Sequence, residues 1–251
     1  MINILLCGSN GKMGNAVRRV AQNDDFINIA AGYDINNSGC EFPVYDNLSK
    51  ITEKIDCIID FSHPSLTDSI LDFAKANKIP AVICTTGLSK DQISKIDFYS
   101  KEIPIFFSAN MSIGVNLIID LVQKAAKVLE SNFDIEIIEK HHNQKLDAPS
   151  GTALAIADAI ADTVSYNAKY TFDRHAVRQK RDKAEIGIHA VRGGNIVGEH
   201  SVIFAGCDEV IELKHSATSK EVFAVGAVRA AIFMKDKPAG LYSMSDLVKE
   251  F

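Results

Sequence analysis

The chain has 251 residues, 47% hydrophobic and 24% charged, with a formal net charge of −5. That length builds one large or two modest domains with a real hydrophobic core, and the composition is that of an ordinary globular protein. The negative charge gives no electrostatic reason to expect nucleic acid or an anionic membrane as a partner, and no apolar run approaches the roughly 18 residues that cross a bilayer.

"INILLCGS" reads as a first strand that turns at once into a glycine loop, which is not the shape of a secretion signal. "KMGNAVRRVAQND" has helical spacing, and "INIAAGYD" is a second strand. "IDCIIDFS" and "IPAVICTT" are strands on either side of the helix "SLTDSILDFAKAN". "LSKDQISKIDFYSKE" is a further helix, ahead of the strand "IPIFFSAN". Near-continuous apolar strands alternating with amphipathic helices predict a doubly wound α/β domain with a parallel sheet. The pattern then changes. "GVNLIIDLVQKAAKVLE" is a long helix, "FDIEIIEKHH" a strand and "GTALAIADAIADTV" another helix. Ser165 to Lys183 has no clear period and is predicted to be a mobile loop. "EIGIHAVRGGNIVGEHSVIFA" reads as two strands joined in a hairpin at "RGGN", followed by the strand "DEVIELKHSA". This run of strands predicts a second, α+β domain with a mixed sheet, and the remaining C-terminal segment reads as mostly helical. Five cysteines (Cys7, Cys40, Cys57, Cys84, Cys207) with no C-x-x-C pair predict reduced thiols in a reducing, cytoplasmic setting.

Gly8, Gly11 and Gly14 in "GSNGKMG" stand between the first strand and the first helix. Glycines let the backbone turn sharply and approach a pyrophosphate, and the helix start offers N–H groups and a positive dipole end. A tight turn alone would also explain them. Asp34, at the end of the second strand, adds a carboxylate suited to the adenosine ribose hydroxyls. Asn10 replaces the middle glycine of the usual pattern, a residue that tolerates left-handed backbone angles. Asp34 and the uncharged Ile35 favour NAD, whereas Lys12 within reach of a 2′-phosphate keeps NADP open. "CTTG" and "SANMS" end two later strands on the same sheet edge, which makes Thr85, Thr86 and Asn110 candidates for the nicotinamide half. Turn chemistry and helix capping by Ser89 and Ser112 account for these segments equally well.

"EKHHNQKLDAPSGTA" holds the remaining chemistry. His141 and His142 are neighbours on a strand and point to opposite faces, and neither H-E-x-x-H spacing nor cysteine support exists, so no metal site is predicted. A solvated loop ahead of a helix is the plain reading. The functional one starts from Ser150 as N-cap: Gly151 and Thr152 then form a cradle for a carboxylate. Lys145 brings positive charge and a proton, and His141 exchanges protons near neutral pH.

"EIIEKHHNQKLDAPSGTALA", together with "GxxGxMG", "DFSHP", "TTG", "SANMSIGVN", "RGGNIVGEH" and "GAVRAA", resembles the 4-hydroxy-tetrahydrodipicolinate (dihydrodipicolinate) reductase family of diaminopimelate and lysine biosynthesis. The resemblance implies NAD(P)H-dependent reduction of a small cyclic dicarboxylate. It implies His141 and Lys145 as proton donors, and His142, Gly151 and Thr152 as substrate contacts. It implies coenzyme contacts at Gly8, Ser9, Asn10, Gly11, Lys12, Met13, Asp34, Cys84, Thr85, Thr86, Ser108, Ala109, Asn110 and Met111. It also implies a Rossmann-type domain of residues 1–112 and 222–251, and a substrate-binding domain of residues 113–221 whose sheet forms a homotetramer. NADH and NADPH are both used in the family. Ile35 stands where NADPH-using members carry arginine, Cys84 where glycine is common, and "DRHAVRQKR" keeps Arg174 and Arg181 without the usual glycines. The alternatives are an aspartate dehydrogenase-like enzyme on a related plan and a non-catalytic NAD(H)-binding protein.

Overall fold

The computed structural model describes residues 1–37, 39–175 and 178–250. The chain divides into two compact units, Met1–Ile113 with Lys220–Phe251, and Gly114–Ser219.

In the first unit the chain runs β1 (Ile2–Cys7), α1 (Lys12–Ala21), β2 (Ile27–Tyr33), β3 (Val44–Tyr45), β4 (Cys57–Asp60), α2 (Pro64–Asn77), β5 (Ala81–Ile83), α3 (Lys90–Ser100) and β6 (Pro104–Phe107). The second unit holds α4 (Ile113–Leu129, whose first residue belongs to the first unit), β7 (Asp134–His141), α5 (Gly151–Ala161), β8 (Lys169–Thr171), β9 (Glu185–Arg192), β10 (Gly198–Ala205) and β11 (Val210–Ala217). The chain then completes the first unit with α6 (Glu221–Phe233), β12 (Gly240–Tyr242) and α7 (Met244–Lys249).

The first sheet has the order β12-β6-β5-β4-β1-β2-β3, and its strand pairs are parallel. Strands proceed outward from β1 to β3, then restart at β4 on its other side. The crevice between β1 and β4 is therefore the topological switch point where such sheets bind ligands. Ile4, Leu5, Leu6 and Cys7 have no exposure, because helices cover both faces. α1 and α6 supply one apolar layer (Ala16, Val17, Ala224, Ala227, Val228). α2 supplies Ile70, Leu71 and Ala74, and α3 supplies Ile96, to the other. β12 pairs with β6 through Leu241 and Ile105, so the C-terminal segment contributes a strand as well as helices. Three residues are too few to carry a readable period.

The second sheet has the order β11-β10-β7-β9-β8 and is mixed: β7 runs parallel to β9 and antiparallel to β10. One face packs Ile135, Ile137, Ile188, Val202 and Phe204 against Ile118, Val122, Ile156 and Ile160 of α4 and α5. The alternating burial of β7 and β11 is the mark of a sheet covered on one side. No described helix is long and apolar enough to cross a membrane.

Two expectations are corrected. β9 and β10 do not form a hairpin: β7 lies between them, bonded to both. The "RGGN" turn instead bonds to the end of β7, where Gly193 N donates to His141 O (2.9 Å) and Asn143 N to Gly194 O (3.2 Å). The segment from Ser165 to Lys183 also contains structure. β8 pairs with β9, and Arg181 donates to Glu136, Asp134, Ile135 O and Glu185 O. Ala176 and Val177 of that segment lie outside the described residues.

Phe204 is fully buried at the centre of the second core. Phe204→Ala is expected to cost about 3–5 kcal/mol by opening a cavity. A lower midpoint of urea unfolding would report it.

Candidate active site

The sheet edge of the first unit gathers the glycine loop, Asp34 and the ends of β4, β5 and β6. Gly8 adopts φ +74°, which a side chain would strain, and a Cβ at Gly14 would stand 2.2 Å from Gly8 O. The loop thus crosses tightly over the start of α1. Gly11 is the N-cap and has no side chain to cap the helix, so the first-turn N–H groups remain a donor set for phosphate. The set fits a dinucleotide, with Asp34 at the end of the neighbouring strand.

Asn10 does not use a left-handed angle; among the described residues only Lys78 and Asp236 do so without being glycine. Its contribution is bonding. Asn10 N donates to Asp34 Oδ2 (2.9 Å), its amide donates to Asn36 O, and its Oδ1 accepts from Arg18 Nη1 (3.4 Å). Asn36 N donates to the other Asp34 oxygen (3.0 Å). Arg18 was not visible as a site residue in the sequence. It donates to Gly39 O (2.6 Å) and stacks over Phe42, which fastens the loop that follows Asp34.

Met13, Phe61, Ser62, Thr86, Ala109 and Met111 line a largely apolar cavity of about 310 Å³ that also reaches Cys84 and Thr85. Not every predicted contact offers its side chain. The Ser9 hydroxyl is buried against β2, where a Cβ at Gly32 would meet it at 2.7 Å. Burial pushes the Cys84 thiol well up, and the Asp60 carboxylate adds to this. Thr85 Oγ1 donates to Asp60 Oδ2 (2.9 Å), a buried carboxylate that also accepts from Ser62 N (2.8 Å). Burial raises the Asp60 pKa, and these donors partly oppose the rise. Ser108 Oγ donates to Asn110 O (3.0 Å), and Asn110 Oδ1 accepts from Ser112 N (2.9 Å), so this turn is set by its own side chains.

The second unit assembles the motif around the end of β7 and the start of α5. His141 is the last residue of β7 and is buried, whereas His142 follows it half-exposed. His141 Nδ1 lies 2.7 Å from Glu139 Oε2. Ser150 caps α5 by accepting from Ala153 N (3.1 Å), as its place in the sequence predicts. Lys145 Nζ pairs with Asp147 Oδ1 at 2.9 Å. Lys145 holds the Asp147 carboxylate below the usual range, with its own N–H and that of Gly151 assisting. Gly151 and Thr152 form the first turn of α5.

Glu139 and Arg192 are functional candidates that the residue-by-residue reading missed. Glu139 has no exposure. Arg192 grips both its oxygens at 2.7 Å, and Ser150 N donates to Oε1 at 2.9 Å. Burial alone would raise the Glu139 pKa, but Arg192, His141 and Ser150 together hold it below the usual range. The signal available was the alternation of β7, which puts residues 139 and 141 on one face. Across the same face, Glu139 opposes His200 and His200 opposes His215. The His200 ring stands edge-on to His141, with centroids 5.2 Å apart, and His200 Nε2 lies 3.1 Å from Ser150 Oγ. Burial, then the neighbouring His141, push the His200 pKa down to about 4. Burial also lowers that of His215. Among the described residues no group of histidine, cysteine, aspartate and glutamate has the geometry of a metal site.

A Rossmann-order sheet with this donor loop, and a second unit carrying an imidazole, an ammonium and an anion cradle, define a pyridine-nucleotide-dependent oxidoreductase. Comparison with known proteins narrows the class. Residues 2–111 match the family model for dihydrodipicolinate reductase, N-terminus, and residues 114–248 match that for its C-terminus. A 4-hydroxy-tetrahydrodipicolinate reductase of Caldanaerobacter subterraneus is 52% identical over 100% of this chain and 99% of its own length. One from Clostridium novyi is 48% identical over 99% of both. The dipicolinate-bound dihydrodipicolinate reductase of Paenisporosarcina sp. superposes with a TM-score of 0.83, at 25% identity and 97% coverage of each chain. The chain belongs to the dihydrodipicolinate reductase family, whose members are NAD(P)H-dependent oxidoreductases. With aspartate dehydrogenase of Thermotoga maritima it shares the fold alone, at a TM-score of 0.51 and 12% identity over 95% of this chain and 98% of that one.

His200 binds its proton more weakly folded than unfolded. Its contribution to stability is therefore complete above the ordinary histidine value of 6.5 and is lost as pH falls toward about 4. Between those limits the wild-type chain is expected to lose on the order of 2 kcal/mol more than His200→Asn. Urea unfolding at a series of pH values measures the difference.

Proposed function

We propose that the enzyme reduces 4-hydroxy-tetrahydrodipicolinate, by way of dihydrodipicolinate, to tetrahydrodipicolinate in the diaminopimelate and lysine route. The observation that carries this reading is the match of both halves of the chain to the dihydrodipicolinate reductase family, together with His141 at the end of β7 and Gly151 opening α5 behind the Ser150 cap. A substrate carboxylate takes Lys145 and the N–H groups at the start of α5, with the Thr152 hydroxyl and His142 as further contacts. The coenzyme contacts are those of the glycine loop, Asp34 and the turns at residues 84–86 and 108–111.

When bound, reduced nicotinamide supplies a hydride. Loss of water from the hydroxy substrate leaves an imine conjugated to a carbon–carbon double bond. The carbon β to the imine carbon would gain the hydride, and the displaced electron pair would move onto the imine nitrogen, leaving the anion of an enamine. His141 Nε2 then delivers a proton to the carbon next to the original imine carbon, restoring the imine and balancing the reduction with one hydride and one proton. Lys145 orients the carboxylate and serves as second proton source. Asp34, with no guanidinium after it, supports NADH, and Lys12 leaves NADPH accessible. Five free thiols support a reducing compartment, the cytoplasm.

Following NADH or NADPH absorbance while pyruvate and aspartate semialdehyde generate the substrate in situ tests this reading. Oxidation dependent on that substrate is expected; coenzyme binding without turnover would leave only a dinucleotide-binding protein. His141→Gln is expected to lower kcat by about 10²–10⁴-fold with coenzyme affinity unchanged. Lys145→Ala should behave similarly, and Thr152→Val should act mainly on KM.

The homotetramer forms, in this reading, through the helix-free face of the second sheet. That face carries Ile138 and Ile203, the exposed Val191 and Val210, and a Lys140–Glu199–Lys214 charge cluster. Sedimentation equilibrium should give the mass of four chains, and Ile203→Glu should lower it. A wild-type monomer would remove the proposal.

A further inference from the structure

We propose that Glu139 is a positioning residue that holds His141 in the Nδ1–H tautomer and ties it to the N-terminus of α5, so that proton source and carboxylate cradle are held by one anchor. The proposal rests on the assignment of His141 as proton donor and goes further, by naming what orients it.

Glu139 meets four donors. Oε2 faces His141 Nδ1 (2.7 Å) and accepts from Arg192 Nη1 (2.7 Å). Oε1 accepts from Arg192 Nη2 (2.7 Å) and from Ser150 N (2.9 Å). A buried carboxylate is tolerated only when it is paired and its lone pairs are used, and the planar fork of arginine does both. Held ionised in this way, Glu139 can only accept. The hydrogen in its contact with His141 therefore sits on Nδ1, which leaves Nε2 as the atom that gains and loses a proton.

The second oxygen does a separate job. By receiving Ser150 N it fixes the residue whose hydroxyl caps α5, and α5 begins with the cradle residues Gly151 and Thr152. Arg192 extends the connection, since Nη2 also donates to Asp147 O (2.6 Å) in the loop that carries Lys145. His200 closes the other side, edge-on to His141 and beside Ser150 Oγ. Imidazole, helix start and lysine loop thus share one buried anion. A carboxylate serving only to stabilise the sheet would need Arg192 but would have no reason to reach both His141 and Ser150.

The test uses the full chain with Glu139→Gln, which keeps the shape and removes the charge, and Glu139→Asp, which keeps the charge on a shorter stem. Long-range ¹H–¹⁵N spectra of the imidazoles, with His141 identified through His141→Gln, read the tautomer directly. The neutral His141 ring of the wild type is expected to carry its hydrogen on Nδ1. In Glu139→Gln the Nε2–H form should appear and kcat should fall by at least about 100-fold, within the ~10⁴-fold loss a serine protease suffers from a wrong histidine tautomer. Affinity for dipicolinate, used as a planar dicarboxylate probe, should weaken about tenfold while NADH affinity is unchanged. Glu139→Asp should recover part of the Nδ1–H population and of kcat, and it carries the test should the glutamine variant fail to fold. A wild-type Nε2–H tautomer, or an unaltered tautomer and kcat in folded Glu139→Gln, overturns the proposal. A switched tautomer with unchanged kcat strikes instead at His141 as proton donor, so the two failures are distinguishable.

Discussion

Taking a carboxylate out of water costs several kcal/mol unless a charge and a full set of hydrogen bonds replace the solvent. Glu139 meets that condition through Arg192, and much of the second unit follows from how Arg192 gets there. Arg192 ends β9, and β9 runs parallel to β7 with Arg192 beside His141. A simple hairpin of β9 and β10 would have moved that guanidinium one strand away from the carboxylate. Placing β7 between them puts Glu139 at the centre of the sheet, with Arg192 on one side and His200 on the other. The same insertion brings the "RGGN" turn onto the end of β7, where it bonds the backbone of the histidine pair.

The first unit meets a different constraint with similar means. Its glycine loop has to turn from β1 into α1 without covering the N–H groups at the helix start. Gly8, Gly11 and Gly14 satisfy the backbone, and Asn10 satisfies the surroundings by joining Asp34, Asn36 and Arg18. Both oxygens of Asp34 accept backbone N–H groups, so the orientation of the carboxylate is fixed by the loops on either side of it. Asp60 acts comparably at the far side of the same sheet edge, where its hold on Thr85 and Ser62 joins the tips of β4 and β5.

Where chemistry and local geometry coincide, the sequence was readable. Apolar runs named the central strands, Ser89 and Ser150 stood where caps were needed and formed them, and the glycine loop opened a helix. Readings that depended on a partner distant in the chain failed. Pairing of β9 with β10 was the shortest route between two adjacent strands, but β7 offered both of them an alternating apolar face. β8 and β12 have three residues each, too short for any period, and exist because a neighbouring strand had an edge to fill. Asn10 contributes through its side chain and N–H and not through a left-handed backbone.

The sequence by itself determined the two-part α/β and α+β organisation, the glycine loop that opens α1 and the cap that opens α5. Periodicity and short motifs are local properties, and these features are local. Only the tertiary structure decided that Glu139 would be buried, that Arg192 would neutralise it from 53 positions away, and that His200 would lie beside His141. A buried charge needs partners whose distance along the chain carries no signal, so the anchor of the site becomes visible only once the strands have paired.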